Sequence, residues 1–110
     1  MPRSRDQRKG DFGEALARMY LRLRGYRILQ KKYRVRRGEI DILARKKDML
    51  VVCEVKTRSS TSFGLPAEAV SDRQWSRIVR ASEVFIRQTD WHGNVRYDVI
   101  EVYLSFPPRI

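Results

Sequence analysis

Hydrophobic positions in this chain switch between helical and strand spacing. Phe12, Leu16, Met19, Tyr20 and Leu23 recur at helical spacing behind Asp11, which predicts an N-cap at Asp11, Glu14 closing a capping box, and Gly25 as the stop. Tyr26 to Arg34 sets Ile28 and Leu29 among bases and reads as an outer strand. Beyond Gly38, two apolar runs, Ile40 to Ala44 and Leu50 to Lys56, flank a turn at Lys47-Asp48. Ser59 to Gly64 is polar and small, hence a loop, and Pro66 to Val70 is consistent with one turn. Ser71 then caps a second helix with Trp75, Ile78, Val79, Ser82, Phe85 and Ile86 on one face, ended by Gly93-Asn94. Val95 to Leu104 is a last strand, and Phe106-Pro107-Pro108 cannot continue a central ladder. The expected class is α/β, in the order α-β-β-β-α-β.

The two central runs carry charge where apolar residues are expected: Asp41 in the first, Glu54 and Lys56 in the second. Burying charge is costly unless it is paired or bound to metal. With a two-residue turn, position 46 faces 49, so Asp41 faces Glu54 and Glu39 faces Lys56. Like charges directly opposite repel, and a divalent cation is one way to make them favourable neighbours.

Composition narrows the partners. Twenty-four Lys and Arg against 13 acids give a formal net charge of +11 over 110 residues, as in many nucleic-acid binders. The length suits one domain, read as residues 10–110, preceded by a disordered basic arm over residues 1–9. A single cysteine, Cys53, and a single histidine, His92, exclude an internal disulfide and a Cys/His zinc site. No apolar stretch approaches the roughly 18 residues of a membrane span, so a soluble, unexported, cytoplasmic protein without membrane contact is expected.

Phosphodiester hydrolysis needs an activated water and relief of the charge developing on phosphate, which hard oxygen ligands and a divalent ion can supply. Asp41, Glu54 and the carbonyl of Val55 are the candidate ligands for Mg²⁺ or Mn²⁺. Lys56, on the same strand face as Glu54, is placed to meet the phosphate. A Glu-x-Lys pair alone is weak, because opposite charges on a strand are often a solvated pair. Asp98 reads as an edge charge, His92 as a loop residue, Cys53 as a small core hydrophobe, and Trp75 as core.

These residues resemble a known family. Gly10-x-x-Gly13-Glu14, Gly38-Glu39-Ile40-Asp41, Glu54-Val55-Lys56-Thr57-Arg58 and Phe63-Gly64-x-Pro66-x-Glu68-Ala69-Val70 together resemble the YraN-type family of small bacterial proteins. That family in turn resembles the restriction-endonuclease-like PD-(D/E)xK superfamily and the archaeal Holliday-junction resolvases. The resemblance implies a restriction-endonuclease-like core, a mixed sheet flanked by helices. It also implies Asp41, Glu54 and Lys56 as the catalytic triplet, and Glu14 as the helix-borne acid. Two positions depart from the family pattern: Lys32 stands where an Asn is usual, and Gln74-Trp75 where a Lys-Gln pair is usual. The second could shift a substrate contact to Arg73 or Arg77.

Arg27, Lys31, Lys32, Arg34, Arg36 and Arg37 form the candidate phosphate-tracking surface, with Arg58, Arg73 and Arg77 as further contacts. Such a surface favours the backbone over base reading, and DNA is preferred to RNA as partner. Symmetric cutting of two strands would need two copies, so a homodimer is a possible assembly. The leading expectation is a Mg²⁺- or Mn²⁺-dependent endonuclease acting on branched DNA. The alternative is a nuclease-fold protein that binds nucleic acid without cutting, as a repair or uptake adaptor. A ribosome-attached basic protein would leave the paired acids unexplained.

Overall fold

Ser4, rather than Asp11, starts the first helix. Its hydroxyl accepts the N–H of Gln7, and the Gln7 side chain accepts the N–H of Ser4, a complete capping box. The computed structural model describes residues 4–59 and 70–104; the Phe63 to Ala69 motif, the predicted turn there, and Phe106-Pro107-Pro108 lie outside them. Helix α1 spans Arg5–Leu23, so residues 5–9, expected as a disordered arm, are its first turns. Ser4 with Gln7 is the same signal as Asp11 with Glu14, seven residues earlier. Gly25, at φ 89°, ends the helix as expected.

Strands β1 (Arg27–Val35), β2 (Gly38–Lys46) and β3 (Met49–Ser59) form an antiparallel meander, α2 (Asp72–Thr89) crosses over, and β4 (Asn94–Leu104) pairs parallel with β3. The sheet order is β1-β2-β3-β4, so the sheet is mixed, the element order is as expected, and β1 is an edge. The two-residue turn at Lys47-Asp48 sets Lys46 opposite Met49, with Lys47 at φ 55°. Ser71 caps α2 by accepting the N–H of Gln74. The helix ends at Asp90, in the left-handed conformation with φ 55°, four residues before Asn94, because an Asp side chain tolerates that conformation.

Two apolar layers cover the sheet. Ala17 and Leu21 of α1 pack on Ile42, Ala44, Val51, Cys53 and Val55. Ile78, Ala81 and Phe85 of α2 pack on Ile40, Leu43, Leu50 and Val52. The buried face of α1 is therefore Gly13, Ala17 and Leu21, and the predicted stripe is displaced, with Phe12, Met19, Tyr20 and Leu23 exposed. Small residues win because they let the helix sit close: a Cβ on Gly13 would overlap Thr57 Oγ1 of β3. Gly38 works the same way under α2, where a Cβ would crowd the Arg77 carbonyl and the Ala81 amide. In α2, Val79 is exposed and Ala81 buried, a shift of the expected face by part of a turn.

Candidate functional site

Past Ile42 and Cys53 the pairing of β2 with β3 stops, and Asp41 takes over a main-chain task. Its Oδ2 accepts the Val55 N–H at 2.7 Å, satisfying a donor that diverging strands would leave without a partner. The expected facing of Asp41 and Glu54 is thus reached by a side chain gripping the neighbouring strand, and not by a continued ladder. The expected facing of Glu39 and Lys56 does not occur. Glu39 pairs with Arg34 of β1, with Arg34 Nε 3.3 Å from its carboxylate, because the strands have already parted.

Glu54 is buried, and its carboxyl is pushed up to about 8, first by desolvation and then by the Asp41 charge and a hydrogen bond with Asp41; the nearby Lys56 opposes this. The fold therefore holds a carboxyl in the position where its charge is least welcome, and does so beside a second carboxyl.

Gln74 links this acid to the lysine. Its amide N–H₂ donates to Glu54 Oε1 at 3.0 Å, and its carbonyl accepts from Lys56 Nζ at 3.1 Å. This orientation is the one consistent with an acceptor on one side and a donor on the other. Lys56 thereby stands on the same face as Glu54, as predicted. The sequence reading passed over Gln74 in favour of Arg73 and Arg77, both of which are exposed. A usable signal existed: Gln74 lies four residues before Ile78, on the same stripe as Ser82 and Phe85.

Glu14 reaches the site because Gly13 brings α1 against Thr57. Its carboxyl is raised by desolvation and by the Asp41 charge, with Lys32 opposing. Lys32, at φ 50° in β1, places its ammonium 3.1 Å from Asp11 Oδ1 and 3.2 Å from Glu14 Oε1. It is thus a counter-ion for helix acids. Arg34 is likewise engaged by Glu39. Arg27, Lys31, Arg36 and Arg37 are exposed along β1 and its turn, and Arg58 is half-buried on β3.

Among the described residues, no group of three or more His, Cys, Asp or Glu side chains is gathered to hold a metal. Two carboxylates and the main chain at Val55 remain as the donor set. That matches the habit of Mg²⁺, which keeps waters and takes one or two carboxylates together with substrate phosphate oxygens. The residues fit a hard divalent ion on that chemistry.

The remaining candidates are structural. Asp98 pairs with Arg96, with Nη2 2.9 Å from Oδ2; exposed His92 lies 3.2 Å from Asp90. Buried Cys53 has its thiol pushed up to about 12 by burial, which removes thiolate chemistry. Trp75 is partly buried against the α2 layer. Among the described residues, no helix is long and apolar enough to cross a membrane.

The pattern of the uncharacterised protein family UPF0102 matches residues 13–102. A UPF0102 protein of Clostridioides difficile (strain 630) is 43% identical over 100 residues, covering 90% of this chain and 88% of the relative. One of Caldanaerobacter subterraneus subsp. tengcongensis is 43% identical over 97 residues, covering 87% and 80%. One of Alkaliphilus oremlandii (strain OhILAs) is 50% identical over 100 residues, covering 86% and 84%.

Proposed function

This chain belongs to the uncharacterised protein family UPF0102, and we propose that it is a metal-dependent endonuclease acting on DNA phosphodiesters, selective for branched substrates. The observation that carries this reading is the placement of Asp41 and buried Glu54 at the parting of β2 and β3, with Lys56 tethered beside them through Gln74. Structural ion pairs have no use for two carboxyls forced together. A site for a hard cation and a phosphate does.

Asp41, Glu54 and the Val55 carbonyl are the residues that would hold Mg²⁺ or Mn²⁺. When bound, such an ion supplies positive charge at the scissile phosphate and lowers the pKa of an attacking water. Lys56 presents an ammonium to a non-bridging phosphate oxygen and to the charge that builds on it during in-line attack. Gln74 fixes Lys56 relative to Glu54, so the cation does not collapse onto the carboxylate. Glu14, with Lys32 as its counter-ion, adds negative field from the helix side. The formal charge of +11 favours a polyanion, and exposed bases along β1 meet its backbone without reading sequence. A lone, buried, inert thiol and a nucleic-acid substrate both suit the cytoplasm.

Labelled Holliday junctions, flaps, single strands and duplexes incubated with Mg²⁺ or Mn²⁺ test the proposal. Cleavage of a branched or single-stranded substrate that Asp41→Ala abolishes, with binding retained, is expected. Binding of all substrates and cleavage of none with either ion would leave a nuclease-fold adaptor instead.

A further inference from the structure

Asp41 has an acid on either side, and each acid has its own lysine. On the α2 side stands Glu54, linked through Gln74 to Lys56. On the α1 side stands Glu14, joined to Lys32, and β1 pairs Lys31 with Ile42 and Tyr33 with Ile40, which sets Lys32 across from Asp41. Lys32 approaches Glu14 as an ion would. Its Nζ lies 3.2 Å from Oε1, 3.4 Å from Oε2 and 3.1 Å from Asp11 Oδ1, so it straddles one carboxylate and reaches a second. Oε1 of Glu14 is buried and accepts no directed hydrogen bond among the described residues; charge ties it to the ammonium. Lys32 holds this place with its backbone at φ 50°, a conformation rare for lysine and kept only where the surroundings enforce it.

Phosphodiester hydrolysis can use two divalent ions roughly 3.5 to 4 Å apart, one at the attacking and one at the leaving oxygen. Such a pair needs a carboxylate free to give one oxygen to each ion, and a further acid for the second. Asp41 is the residue placed to bridge, since its charge acts on both Glu54 and Glu14. Its Oδ2, however, is committed to the Val55 N–H at 2.7 Å. The acid on the far side is also engaged, because the Glu14 side chain is only 14% exposed and the ammonium lies across both its oxygens. Both observations leave room for one divalent ion and put a fixed cation where the other would stand. An ammonium has donors and no acceptor, so it supplies charge there without activating a water.

We propose that the Lys32 ammonium occupies, beside Glu14 and Asp11, the position a second divalent ion would otherwise take, so that this chain works with one ion, at Asp41 and Glu54, and a tethered positive charge in place of the other. The role in hydrolysis rests on the phosphodiesterase reading; the cation position rests on the Lys32 contacts. Lys32 offsets the negative charge of Glu14 and Asp11, which would otherwise repel an incoming phosphate. Activation of the water then falls to the single ion.

Equilibrium dialysis of the full chain against Mn²⁺, near pH 8 where Glu54 ionises, counts bound ions apart from any cleavage. The proteins are the wild type, Lys32→Asn, Lys32→Gly and the double variant Lys32→Asn with Glu14→Gln. Asn and Gly both accept the left-handed backbone at this position, and thermal melts establish that each variant is folded. The wild type should bind one Mn²⁺ per chain, each Lys32 variant should bind one more, and the added ion should vanish in the double variant. A merely structural ion pair would change stability and leave the count as it was. Lys32 variants that bind no more Mn²⁺ than the wild type overturn the inference, as does a wild type that already holds two ions, or an added ion indifferent to Glu14→Gln. A Glu14-dependent added ion in a protein that cuts no substrate sinks the nuclease reading and leaves the assignment of Lys32 standing. Asp41-dependent cleavage by the wild type, with no added ion in either Lys32 variant, does the reverse.

Discussion

Glu54→Gln converts a carboxyl whose ionisation the fold resists into an uncharged isostere of its protonated form. In the unfolded chain this carboxyl ionises near its ordinary value of 4.5, and in the fold at about 8. Between those values the native protein binds more protons than the unfolded chain, so its stability falls as pH rises. The contribution is fully present below about 4.5 and is lost as pH passes through 8. At roughly 1.4 kcal/mol per pH unit, the window from 4.5 to 8 sets an upper bound of about 5 kcal/mol. Relaxation around the charge and entry of water reduce this to an expected 2 to 3 kcal/mol, roughly. The Gln74 amide can still donate to the Gln carbonyl, and the new amide N–H₂ can donate to Asp41 as the protonated acid does. Urea unfolding followed by circular dichroism at steps from pH 5 to 8.5 measures the difference. Wild type should lose stability by that amount relative to Glu54→Gln, and millimolar Mg²⁺ at pH 8 should restore the wild type alone. Parallel pH profiles for the two proteins would refute the argument.

Gly13→Ala should destabilise the fold by about 1 to 3 kcal/mol despite a helix-propensity gain of up to about 1, because overlap with Thr57 outweighs propensity. Thr57→Ala in the same chain should recover part of the loss in urea unfolding. Gln74→Ala should cost at most roughly 1.5 kcal/mol in stability yet lower any cleavage rate about tenfold or more, since Lys56 loses its tether; single-turnover assays separate the two effects. Removing the counter-ion by Lys32→Ala should move Glu14 further above the usual carboxylate range, because desolvation and Asp41 then act unopposed by Lys32. Carboxyl-carbon NMR titration reads that shift directly.

Much of the central hairpin was legible in the sequence. A two-residue turn and strict alternation fix which residues can face each other, so the pairing from Lys46 with Met49 to Ile42 with Cys53 follows from Lys47-Asp48 alone. The parting of the strands at Asp41 was not legible, because it depends on a side chain competing for the Val55 N–H, and propensity contains no such information. The face of α1 was misread for a related reason. Large apolar residues mark a buried stripe only when distance of approach is unconstrained, and here Gly13 and Ala17 permit a closeness that Phe12 and Met19 would forbid. Gln74 lies on the buried stripe of α2, but in the sequence it stands out only as a departure from the family's Lys-Gln pair; its role appears once α2 is laid over β2 and β3. The YraN-type resemblance carried the family, which the relatives in three organisms support.

Isothermal titration of the intact chain with Mn²⁺ tests the central claim most directly, because it asks whether the two carboxyls at the parting of β2 and β3 hold a hard cation. Saturable binding that is lost in both Asp41→Ala and Glu54→Gln, and strengthens as pH rises through 8, is the predicted result. Heats indistinguishable between the wild type and Asp41→Ala would contradict it.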